Sequence, residues 1–232
     1  VEQWSVKNKL DLNIGKSCTF FFSSAPMEAK WRPNILLHNK RMKFGEGEDE
    51  RCPRLLGLIL DRTLCFQDHL RFVIDKVNDR RKILLCLASK SWGWNRSNLI
   101  RLYNSLHRSI MDNVAAAWQP WLTEGKLKDL DTAQNNCLRA ITGQYACSNL
   151  ESLRANSGIQ SYQTHSKQLV AIAYEKGMRL PEGHPRREAI DKTVVHRIKQ
   201  RSSFREQAEN TLQSLSIHSS PREPITLHFP EP

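Results

Sequence analysis

Leu55-Leu-Gly-Leu-Ile-Leu-Asp-Arg-Thr-Leu-Cys-Phe-Gln-Asp-His-Leu70 is the stretch from which the architecture is read. Its first half, Leu55 to Leu60, is a short apolar run broken by one glycine. That pattern predicts a strand buried on both faces, with a close backbone approach at Gly57. Asp61-Arg-Thr ends the run. From Phe66 the apolar residues switch to helical spacing, with Leu70, Val73, Ile74, Val77, Leu84 and Ala88 on one side. Arg71, Lys76, Arg80 and Lys82 fall mostly off that side. One face of such a helix packs, and the other presents cations.

Upstream the pattern is short and strand-rich. A helical end near Trp4 to Lys9 is followed by a strand through Cys18 to Phe22. Asn34 to His38 and Arg41 to Phe44 then flank a turn at Asn39. Downstream the spacing is helical. Ser97 is placed to cap a helix whose apolar positions run Leu99, Leu102, Tyr103, Leu106, Ile110, Val114 and Ala117, with Pro120 just beyond its end. A second helix runs from Lys126 to Ile141 with Gly143 as its C-terminal cap, and a third spans about Tyr162 to Met178 with Leu169, Ile172 and Ala173 inward. Apolar density falls after Pro181, and from Ser202 the sequence reads as a linker or tail. The expected class is α+β, mainly α. A small antiparallel β part covers 1–65, a helical bundle 66–145, a helical extension 146–201 and a disordered linker or tail 202–232.

The chain has 232 residues, of which 39% are hydrophobic and 25% charged. It can bury a core, although its apolar share lies below the usual figure of about 45–50%. The net charge of +11 is unevenly placed: residues 70–110 hold nine Lys or Arg against Asp75 and Asp79, a local surplus of seven. A surplus of this size attracts a polyanion through counterion release. The plainer reading is a solvated helical face. Arg80-Arg-Lys82, with Arg71, Lys76, Arg96 and Arg101, are the candidate backbone contacts; some of these cations serve equally to cover apolar surface with their stems. Trp92, Trp94 and Tyr103 can stack on bases or fill a core. No apolar run is long enough to cross a bilayer and no signal peptide is read, so a membrane partner is not expected. Cys18, Cys52, Cys65, Cys86, Cys137 and Cys147 are scattered, with no Cys-x-x-Cys pair and no His at ligand spacing. They read as buried thiols of a reducing compartment, the nucleus or cytoplasm.

Leu56 to Asp61, Leu64, Phe66, His69 and Leu70 fit a Leu-Gly-x-x-Leu-Asp, Leu-x-Phe, His-Leu pattern. In this the chain resembles the reverse transcriptases of LINE-like, non-LTR retrotransposons, in the segment that follows the catalytic core. Trp4 and Lys9-Leu-Asp-Leu-Asn-Ile-Gly-Lys-Ser17 are similar to the family's preceding motif. Leu99-Ile-Arg-Leu-Tyr103, Ala116-Ala-Trp118, Leu130 to Gly143 and Leu180 to Pro185 follow in order, most closely in the ingi-type branch. The resemblance covers roughly Trp4 to Pro185. It implies the end of a polymerase palm with a primer grip at Leu56, Gly57 and Leu58, then a helical thumb and an extension beyond it. Lys16 falls on the family's lysine near the incoming triphosphate, or is an ordinary turn lysine. For His69 a capping or packing role is expected rather than catalysis. His107 and His165 carry no assigned role.

One part of the family pattern is missing. The paired aspartates of its Tyr/Phe-x-Asp-Asp hairpin hold metal ions, and no adjacent Asp pair occurs in this chain. Glu46-Gly-Glu-Asp-Glu50 reads as a solvated loop. No metal site and no cofactor are therefore expected in this segment, Mg2+ belonging to the intact parent enzyme. The chain starts at Val1 without Met and reads as a fragment whose catalytic half is missing. Its expected partners are RNA and DNA as a template-primer duplex, and that upstream half. A non-catalytic RNA-binding component of a ribonucleoprotein and a plain helical scaffold are the other two classes.

Overall fold

The computed structural model describes residues 2–23, 25, 27–45, 52–89, 92–192, 202–217 and 222–223. The acidic Glu46–Glu50 stretch lies outside them. The architecture is α+β and mainly α, and the chain divides into two units, Val1–Phe72 and Val73–Pro232.

In the first unit, helix α1 (Glu2–Lys7) precedes a 3-10 turn at Ile14–Lys16. Strand β1 (Cys18–Thr19) is the only paired part of the run expected to extend to Phe22. Phe20 and Phe22 stack on each other instead, and Phe21 meets the Trp31 ring edge-on at 5.0 Å. Strands β2 (Leu36–Leu37) and β3 (Lys40–Arg41) form a hairpin turned by His38 and Asn39, both with positive φ. Those dihedrals match the sense of a type I′ turn, whose twist suits two antiparallel strands. Strand β4 (Lys43–Phe44) pairs in parallel with β1, so this β region is not wholly antiparallel as expected.

Leu55 to Leu60 differs from the single strand its composition predicts. It is a second hairpin, β5 (Arg54–Leu55) and β6 (Leu58–Ile59), with Leu56 at φ +50° and Gly57 at φ +88° in the turn. Glycine adopts this conformation without a Cβ penalty. Leu56 is 88% exposed, and only Leu58 and Ile59 turn inward.

Asp61 then shapes the entry to helix α2 (Gln67–Leu87). One carboxylate oxygen accepts from the Cys65 N–H and the Thr63 hydroxyl at 2.9 Å each, the other from the Phe66 N–H at 2.6 Å. Leu64 and Phe66 are both held at positive φ in this turn. Burial alone would raise the Asp61 pKa, but these donors outweigh it and hold it below the usual carboxylate value.

In the second unit α2 buries Val73, Val77 and Leu84. The helix expected from Ser97 to Ala117 is instead divided. Helix α3 (Arg96–Tyr103) starts two residues earlier, capped by Asn95 instead of Ser97; the Asn95 side chain accepts the Asn98 N–H. A π turn at Asn104–Arg108, helix α4 (Ser109–Asp112) and helix α5 (Ala115–Trp118) follow, with Val114 at φ +51° as the break. Helix α6 (Glu124–Thr142) ends on Gly143 at φ +69°, as its sequence predicts. Helix α7 (Leu150–Ser157) falls within the expected helical extension, where the sequence reading delimits no separate helix. Helix α8 (Tyr162–Met178) matches its expected span but buries a different face. Tyr162, Ser166, Val170, Ala171, Tyr174 and Gly177 are inward, and Ile172 is half exposed.

Helices α9 (Pro185–Asp191) and α10 (Phe204–Ser214) complete the unit. The expectation of a disordered tail from Ser202 is corrected over 204–214. Ser203 and Glu206 form a reciprocal capping box, and Ala208 packs with Val170 and Tyr174 of α8, flanked by Phe204, Ile190 and Leu212. The boundary expected at 145/146 is not a division either, since α7 and α8 both pack on α6. Among the described residues no helix is long and apolar enough to cross a membrane.

Candidate nucleic-acid interface

Successive helical residues point about 100° apart, so Arg80, Arg81 and Lys82 meet three different environments. The Arg80 guanidinium donates to the Leu106 carbonyl at 2.9 Å and braces the π turn. Arg81 is half-buried, and its charge opposes the strong rise that burial causes in the Cys137 thiol, which is pushed up to about 12. Lys82 is exposed and stands 3.4 Å from Asp79. Of the three, Lys82 is open, Arg81 is half-buried and Arg80 is partly occupied by the fold.

The remaining candidates divide in the same way. Arg71 lies in the first unit, exposed and 3.6 Å from Asp68. Lys76 and Arg101 are exposed in the second, and Arg96 donates to the Asn156 carbonyl at 3.3 Å. Trp92 and Trp94 are open to solvent. Tyr103 is not, because it is fully buried with its hydroxyl donating to Gln134 at 2.9 Å, and burial raises its pKa. Its role is in the core.

The first unit holds the other proposed residues. Lys16 is exposed at the end of its 3-10 turn, where its backbone N–H donates to the Asn13 side chain at 3.1 Å; this is turn geometry. Leu56 and Gly57 form the tip of the β5–β6 hairpin, and Leu58 sits beneath it, 7% exposed. His69 packs behind that hairpin, with its Nδ1 accepting the Ile59 N–H at 3.3 Å. Desolvation by burial pushes its pKa down to about 4, so the ring is neutral at neutral pH. That is the packing role expected from its position.

Comparison of the chain with protein-family models, curated proteins and solved structures finds no match. The assignment of these residues thus rests on their chemistry.

A polar cluster that the sequence does not reveal lies between α4, α5 and α8. Asp112 accepts from the Tyr162 hydroxyl at 3.2 Å and contacts His165 Nε2 at 2.9 Å, with Arg108 3.8 Å away. Gln119 donates to the Tyr162 oxygen at 2.7 Å and to the Met111 carbonyl at 3.0 Å. The partners are about fifty residues apart in sequence, and no local motif marks them. Asp112 also borders an open groove of about 680 Å³ between α5, α8 and α9. Leu169, Ile172 and Ala173, the residues expected to face inward on α8, line that groove instead. With its oxygens engaged by three neighbours, Asp112 organises the helix junction.

The cysteines differ from expectation as well. All six are free thiols, but only Cys137 is buried; Cys18, Cys86 and Cys147 are exposed. Cys52 is raised to about 11, first by burial and then by its hydrogen bond to Asp68. No group of three His, Cys, Asp or Glu side chains placed to hold a metal ion occurs among the described residues.

Proposed function

We propose that this chain is the nucleic-acid-gripping part of an RNA-directed DNA polymerase, the reverse transcriptase of a LINE-like, non-LTR retrotransposon. It would hold a template-primer duplex while an upstream half supplies the metal-binding carboxylates. The observation that carries the reading is the ordered series of motifs from Trp4 to Pro185, joined to a stretch, Arg80 to Met111, with seven Lys or Arg and no Asp or Glu. Lys76, Lys82 and Arg101, exposed on the second unit, supply the charge that recognises phosphate without reading sequence. Mg2+ and nucleotide transfer belong to the parent enzyme, acting in the nucleus or cytoplasm.

The reading is tested by titrating the purified chain into a labelled RNA–DNA hybrid over a range of KCl. Binding that weakens linearly in log–log form is expected, with little dependence on sequence. Preference for RNA alone over the hybrid would transfer the chain to the ribonucleoprotein class. Absence of salt-dependent binding would leave a helical scaffold.

A further inference from the structure

Trp92 and Trp94 are 66% and 49% exposed in one loop of the second unit, a costly place for two indoles. The loop is anchored. The Trp94 N–H donates at 2.8 Å to the carbonyl of Leu87, the last residue of α2, and the Gly93 N–H at 2.9 Å to the Ser89 carbonyl just beyond it. Gly93 lies so close to that end that an added Cβ would overlap Ser89 and come within 2.7 Å of the Leu87 carbonyl. The two indoles therefore leave a backbone held tightly against the helix. On the next helix Arg101 is exposed and Arg96 is only partly engaged, and no acid lies between Arg80 and Met111.

Flat apolar faces beside an acid-free cationic stretch match a ligand that carries a flat ring and an anion in every unit. We propose that Trp92 and Trp94 are a stacking platform for the unpaired bases of a single-stranded segment. This deepens the reading of the chain as a nucleic-acid grip and rests on it. A duplex keeps its base faces within its own stack, so the loop takes the strand where pairing has ended. Stacking on an aromatic side chain is tolerant of base identity and strengthens binding by about 5- to 150-fold per base.

The platform is tested on the full chain with two labelled oligonucleotides of about 15 residues, oligothymidylate and an abasic strand of equal charge. The wild-type chain is expected to prefer the strand with bases. Trp92→Ala and Trp94→Ala each remove about 5- to 150-fold of the oligothymidylate affinity, with abasic binding and salt slope unchanged. Trp94→Phe, which keeps a ring, retains most of the affinity and guards against a folding artefact. Equal affinity for both strands, or equal loss of both in the variants, overturns the platform. So does a result in which the Trp variants change only self-association, which would make the loop a protein contact. Salt-dependent hybrid binding without base dependence would remove the platform alone; loss of all nucleic-acid binding would remove the proposed function with it.

Discussion

His69 shows how one residue ties a turn to a helix and makes the tie sensitive to pH. Its Nδ1 accepts the Ile59 N–H from β6 while the ring lies buried in the first turn of α2. Because burial lowers its folded-state pKa from about 6.5 to about 4, the unfolded chain binds more protons between those values. Its contribution is complete above pH 6.5 and is lost as the pH falls toward 4. An asparagine offers an oxygen near the Nδ1 position without a titrating ring, so His69→Asn should flatten stability over that window. Urea unfolding of both proteins from pH 7 to 4 would show their difference narrowing; parallel curves would place the acid sensitivity elsewhere. A capping or packing role for His69 is legible from its place at a helix start, and the buried ring decides for packing. Leu56 was not legible, because its composition matches a core leucine and only its φ of +50° shows that it forms a turn.

At the scale of elements, long periodic segments were readable and short ones were not. The helical spacing after Phe66, the glycine cap of α6 and the span of α8 follow directly from apolar repeats and end signals. The inward face of α8 does not, since its buried side includes Ser166, Tyr174 and Gly177 while Ile172 stays half exposed. Helix α10 was missed for a related reason: residues 204–214 carry few apolar side chains. Ser203 and Glu206 compensate by satisfying backbone donors at the helix start, leaving the small Ala208 to dock against Val170 and Tyr174. Replacing Ser203 by alanine should cost about 1 kcal/mol, seen as a fall of about 2–4 °C in melting temperature. Hydrogen exchange would accelerate over 204–214 first. Unchanged exchange there would mean that packing on α8, rather than the cap, sets the stability of α10.

Across the whole molecule, the sequence reports how many cations there are but not how many remain available. The net charge of +11 and the surplus after Leu70 were countable from composition. That Arg80 braces Leu106 and Arg96 reaches Asn156 depends on contacts between residues 26 and 60 positions apart, which no local pattern encodes. This distinction is measurable, because only a cation that neutralises a phosphate contributes to counterion release, about 0.9 units of log–log salt slope each. Lys82→Ala, at an exposed position, should reduce the slope for hybrid binding by about that amount and change stability by less than about 0.5 kcal/mol. Arg80→Ala should do the opposite: the slope moves little, while stability falls by about 1–3 kcal/mol as the Leu106 carbonyl loses its donor. Titrations at several KCl concentrations, paired with urea unfolding of the same two variants, separate the cations that grip from those that brace. A large slope change for Arg80→Ala at unchanged stability would put its guanidinium on the phosphate backbone beside Lys82.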